Sequence, residues 1–178
     1  NIMANICLTT WKVLGNKSQL DQLNTSIENA MIEEGSFLDV VTNLGGTEED
    51  ISDCRYGYIS ENSFDESGQI LTVSLESDWI EPAQFRQFIL RQFNDITILY
   101  SSEEPECEYF ETNDKDSKFF LHFKCFDGED MEFRTLEEAC EYYAGTTGEE
   151  VHTIEEINEL LDDSGEWRPF MEAAVVED

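Results

Sequence analysis

A chain of 178 residues, 40% hydrophobic and 12% aromatic, can bury an ordinary core, which argues against a disordered chain. With 10 Lys and Arg against 41 Asp and Glu, the net charge is −31. Such an excess repels phosphate, so it argues against direct nucleic-acid or anionic-membrane binding and leaves a basic protein or a cation as the partner chemistry.

The predicted elements alternate in period. "ANICLTTWKVLG" reads as a first strand ending at Gly15. Leu20, Leu23, Ile27, Ala30 and Met31 then recur at helical spacing, with Ser18 and Asp21 as the capping pair and Gly35 as the stop. Residues 42–53, "TNLGGTEEDISD", read as an acidic loop. "CRYGYIS" and "QILTVSLES" read as strands joined by the turn-rich "ENSFDESG". Pro82 opens a helix with Phe85, Phe88, Ile89 and Phe93 on one face, and "DITILYS" returns to strand. The order β-α-β-β-α-β predicts an α+β, ferredoxin-like antiparallel sheet with two helices on one face.

Residues 111–178 read as an acidic extension packed on that domain, which spans 3–110. "KFFLHFKCF" and "DMEFR" form a hairpin at Asp127-Gly128. Two short helices follow, opened by Thr135 with Glu138 and by Thr153 with Glu156, and closed by Gly145 and Gly165.

Signatures of catalysis are sparse. His122 lies inside an apolar strand and reads as structural or surface rather than catalytic, and His152 only enters a helix. There is no G-x-S-x-G elbow, P-loop or G-x-G-x-x-G fingerprint, no zinc or iron–sulfur spacing, and no EF-hand pattern. The expectation is a non-enzymatic protein without cofactor or metal; a carboxylate-based hydrolase or cation-binding protein is the alternative of a different class. Five scattered cysteines without a C-x-x-C pair read as free thiols in a reducing cytoplasm. No apolar run reaches membrane-spanning length, and the start shows no signal-peptide pattern.

Two candidate contact features stand out. Acidity is concentrated in residues 95–178, with 26 acids and 5 bases against 15 and 5 before them. Glu155, Glu156, Glu159, Asp162 and Asp163 follow one another without a base, at roughly one charge per 2.7 Å of helix, against about 1.7 Å for duplex DNA. They form either a solvated face above Ile154, Ile157, Leu160 and Leu161 or the face of a DNA mimic. Trp79 reads as core packing that also anchors the strand-to-helix turn.

Three stretches carry a family likeness: "MANICLTTWKVLG", "DWIEPAQFRQFILRQFNDITILY" and "EEPECEYF". Over residues 3–110 the chain resembles the YubB-type ferredoxin-like family of plasmid and phage proteins. It departs from that pattern at Glu81 and Asn94, where the family tends to carry proline, and in lacking a glycine after the acidic stretch. The resemblance implies the fold and a mobile-element setting, with no catalytic residues to carry over. Together these readings predict a cytoplasmic accessory protein that acts by macromolecular binding, with mimicry of DNA against a DNA-binding protein as the alternative.

Overall fold

The computed structural model describes residues 5–54, 56–127, 130–161 and 168–177. The protein is α+β, in two compact units divided between Glu104 and Pro105.

In the first unit, β1 (Ile6–Gly15) leads through α1 (Lys17–Met31) and α2 (Phe37–Asn43) to β2 (Tyr58–Phe64) and β3 (Ile70–Asp78). Helix α3 (Ala83–Gln92) and β4 (Ile96–Glu104) complete it. The strand order is β2-β3-β1-β4 with every neighbour antiparallel. Alternation along the strands decides the faces. Cys7, Thr9, Trp11 and Val13 of β1 are buried, and Trp11 lies opposite Val73 on one side and Tyr100 on the other.

Three helices cover this face with Leu20, Leu23 and Ile27, with Phe37, Val40 and Val41, and with Phe85, Phe88 and Ile89. Phe85 is the junction, stacking on Trp11 at 5.3 Å and on Phe37 at 4.3 Å. The loop into β2 passes so close that a Cβ on Gly57 would fall 1.8 Å from the Phe37 ring, which only glycine allows.

Local chemistry moves several predicted boundaries. Asn16, not Ser18, caps α1: its side chain accepts from the Ser18 N–H at 2.9 Å, while Asp21 pairs with Lys17. The helix ends at Met31, and the Gly35 N–H reaches back to the Ala30 carbonyl at 3.0 Å. The segment read as an acidic loop contains the end of α2 and a 3-10 turn at Glu48–Ile51. The missed signal for α2 was Ser36 with Asp39, where the hydroxyl accepts the Asp39 N–H at 3.1 Å. In the β2–β3 turn, the Asp65 carboxylate accepts the N–H groups of Gln69 and Ile70, both at 2.9 Å, and the Ser67 hydroxyl at 2.6 Å.

In the second unit, β5 (Tyr109–Thr112) pairs in parallel with β9 (Ala174–Val175). A second sheet runs β7 (Glu132–Phe133), β6 (Phe123–Cys125), β8 (Phe170–Glu172), antiparallel throughout. The expected hairpin is present as β6 and β7, although Gly128 of its turn lies outside the described residues. Residues 118–122 are not strand; the Asp114 carboxylate takes the Phe119 and Phe120 N–H groups at 2.6 and 3.0 Å. Helices α4 (Leu136–Thr147) and α5 (Ile154–Leu161) pack Ala139, Tyr143 and Ile157 against Cys125, Phe133 and Phe170.

Both predicted helix starts hold, with Thr135 and Thr153 each accepting an N–H at 3.2 Å from Glu138 and Glu156. Gly145 does not end α4. The Thr146 and Thr147 hydroxyls bond back to the turn below, and Gly148 at φ 79 supplies the left-handed stop. Gly165 lies outside the described residues.

Two measurements check these assignments. Phe85→Ala removes the ring that joins Trp11 to Phe37 and is expected to cost about 3–5 kcal/mol in urea unfolding. The hydrogen bonds to Asp65 hold its carboxyl down to about 2 from an ordinary 3.8, the Ser67 hydroxyl contributing most. A lowered folded-state pKa stabilises above the ordinary value, and that stability is lost as pH falls from 3.8 through 2. Carboxyl-carbon NMR is expected to place this midpoint near 2, and Ser67→Ala to raise it.

Candidate functional site

The Trp79 turn is built by the residues that flank it. β3 ends at Asp78, and the Trp79 N–H donates to the Asn5 carbonyl at 3.1 Å, so the turn lies beside the start of β1. Trp79 takes φ 69, a left-handed conformation that costs a bulky side chain about 1–3 kcal/mol. The Ser77 hydroxyl donates to the Ile80 carbonyl at 2.8 Å and closes the turn. The chain then dives inward. Glu81 and Arg86 are each 5% exposed and meet at 3.0 Å, and the Arg86 guanidinium lies 4.7 Å over the Tyr100 ring.

This geometry corrects the reading of Trp79 as core. The side chain is 52% exposed and its neighbour Ile80 60% exposed. The reversed backbone turns Trp79 outward, and Glu81, Arg86 and Phe85 fill the interior below. The phenylalanines of the same stretch do behave as core: Phe85, Phe88, Phe93 and Phe110 are all buried.

Beneath the turn, the inward sheet face becomes polar. Thr9 Oγ1 lies 2.6 Å and Cys7 Sγ 3.0 Å from Ser102 Oγ, all three buried. Burial pushes the Cys7 thiol up, with hydrogen bonds from Ser102 and Thr9 opposing it. Burial likewise pushes Cys54 up to about 11. Neither is an activated nucleophile, since thiolate is the reactive form. All five cysteines are free thiols.

On the opposite sheet face, Ile6 and Leu8 are half exposed and stand opposite Asp78 and Glu76 on β3. Tyr58 of β2 faces Glu76 from the other side.

In the second unit, Glu155, Glu156 and Glu159 are exposed, while Ile157 and Asn158 turn inward. Asn158, which the sequence did not single out, spans α5 and β8. Its amide donates to the Phe170 carbonyl at 2.9 Å and accepts the Phe170 N–H at 2.8 Å. Glu156 is partly engaged, accepting the His152 N–H at 2.6 Å. Asp162 and Asp163 lie outside the described residues. The Nε2 of His122 lies 2.8 Å from the Asp114 carbonyl oxygen. Among the described residues no group of three His, Cys, Asp or Glu is arranged to hold a metal, and no helix is long and apolar enough to cross a membrane.

No family model matches the chain, and neither a curated protein nor a solved structure is found similar to it. The likeness to the YubB-type family rests on the three quoted stretches alone.

The ion pair under the turn yields a two-part prediction. Arg86→Ala leaves the Glu81 carboxylate buried without its guanidinium and is expected to cost about 3–5 kcal/mol. Replacing both partners, Glu81→Leu with Arg86→Met, is expected to recover most of that loss in the same unfolding assay.

Proposed function

We propose that the protein is a non-enzymatic cytoplasmic binding protein whose partner is a basic protein, engaged through the Trp79 turn of a ferredoxin-like first unit. One observation carries this reading. An aromatic and a branched aliphatic side chain, Trp79 and Ile80, are both more than half exposed on a strained turn anchored by a buried ion pair. Tryptophan is the residue type most enriched at binding hot spots, and a rigid support lowers the ordering cost of contact. The net charge of −31 favours a basic partner. The antiparallel order β2-β3-β1-β4 supports the ferredoxin-like assignment, with α2 as an addition between α1 and β2. The likeness over residues 3–110 supports a role as an accessory protein of a mobile element.

A second reading, mimicry of DNA, is favoured by the helical part of the second unit. Residues 136–161 hold eight Asp and Glu, all exposed, and no Lys or Arg. Against it, α5 has eight residues and spans about 12 Å, little more than a third of a duplex turn.

Affinity capture from host lysate with the intact chain separates the two. Trp79→Gly suits the left-handed backbone, so it is expected to keep or raise the melting temperature while removing capture. Capture that survives Trp79→Gly, falls steeply with salt and is displaced by duplex DNA would replace the leading reading with mimicry.

A further inference from the structure

Resting on the protein-binding reading above, we infer that the contact surface extends from the Trp79 turn across the outer face of β1, β3 and β2, and takes an amphipathic partner segment bearing lysine or arginine. The strand register brings together residues far apart in the chain. Leu8 stands opposite Glu76 on one side and Glu103 on the other, Glu76 stands opposite Tyr58, and Ile6 stands opposite Asp78. At about 4.8 Å between strands, Tyr58, Glu76, Leu8 and Glu103 make a row about 14 Å long, and Ile6 lies about 7 Å from Leu8 along β1.

The row alternates apolar and anionic groups. Ile6 is 52%, Leu8 50% and Tyr58 45% exposed, an unusual state for three large apolar side chains so closely grouped. A lysine or arginine matches this alternation. Its aliphatic stem lies along Leu8 or Tyr58 while its charged head reaches Glu76, Glu103 or Asp78. A plain acidic surface would favour any polycation equally, whereas here the apolar residues add a requirement for an apolar face on the partner. The Trp79 turn continues the same end of the sheet, because its N–H bonds Asn5, next to Ile6.

The test is an NMR titration of the full chain with a synthetic amphipathic helix of leucine and lysine, alongside polylysine of equal charge. Amide shifts are expected at Ile6, Leu8, Tyr58, Glu76 and Trp79 with the amphipathic peptide. Leu8→Asn with Tyr58→Ser, at two exposed strand positions, is expected to weaken it about tenfold and leave polylysine unchanged. Glu76→Gln with Glu103→Gln serves as a second variant and is expected to weaken both probes. Shifts confined to α4 and α5, or equal affinity of the first variant for the amphipathic peptide, would overturn the inference. The lysate capture described above is run on the same variants. Loss with Trp79→Gly but not with Leu8→Asn/Tyr58→Ser sinks the extended surface alone. Capture unaffected by either sinks both readings.

Discussion

A buried guanidinium sets the terms for the Trp79 end of the first unit. Arg86 can leave water only if a carboxylate and the face of an aromatic ring replace its solvent, and Glu81 and Tyr100 do so. Glu81 precedes the helix and Arg86 sits in its first turn, where its N–H bonds the Pro82 carbonyl at 3.1 Å. Keeping the pair closed therefore fixes where α3 begins and which way the preceding residues point. With Glu81 drawn inward, the chain leaving β3 has to reverse within two residues, and Trp79 and Ile80 are carried out to solvent. The position where the likeness to YubB-type proteins would put a second proline is the one that supplies the carboxylate. A buried pair of this kind contributes little net stability against an apolar replacement; its consequence is a defined geometry.

The inward sheet face grades from apolar to polar along its length. Val13, Leu71 and Ile98 form one level, Trp11, Val73 and Tyr100 the next, and Thr9, Leu75 and Ser102 the one after. The hydroxyl and thiol groups at the polar end bond one another, so their burial costs little. Cys7 is held as a thiol by that burial and serves as a small, weakly polar filler.

Most of the first unit was legible because period and burial agree there. Alternation in "ICLTTWKVL" and the spacing of Leu20, Leu23 and Ile27 each specify one face, and the structure buries those faces. Helix α2 escaped because seven residues hold too few turns to show a period, so only its Ser36–Asp39 cap could have marked it. Trp79 was misjudged for a different reason. Size and aromaticity favour burial, but a tryptophan between a strand end and a proline helix is governed by the backbone turn, and a positive φ at tryptophan has no sequence signal. Glu81–Arg86 was equally invisible, since burial of two charges depends on a ring from β4 that lies fourteen residues further on. In the second unit the caps at Thr135 and Thr153 were readable from four residues each, whereas β5, β8 and β9 were not. Strands of two to four residues carry no alternation to read.

The distribution of charge and apolar exposure separates two roles that a strongly acidic protein can confuse. Long-range attraction depends on the sum of charges, so all 41 acids would help draw in the basic partner proposed above, and the second unit contributes most of them. That attraction is screened beyond about 8–10 Å at physiological salt and discriminates poorly among cationic surfaces. Discrimination needs short-range contact that excludes water, which requires exposed apolar area on a fixed frame. On α4 and α5, Ala139, Tyr143 and Ile157 are buried and Leu136, Ile154, Leu160 and Leu161 partly so, which leaves Tyr142 as the exposed large apolar side chain on their described acidic surface. In the first unit Ile6, Leu8, Tyr58, Trp79 and Ile80 are exposed at one end of a sheet whose position is set by nine consecutive register pairs between β1 and β3. In the proposed binding mode, attraction is therefore spread over the chain, whereas selectivity would come from the strained turn and the sheet face that keep apolar side chains in water.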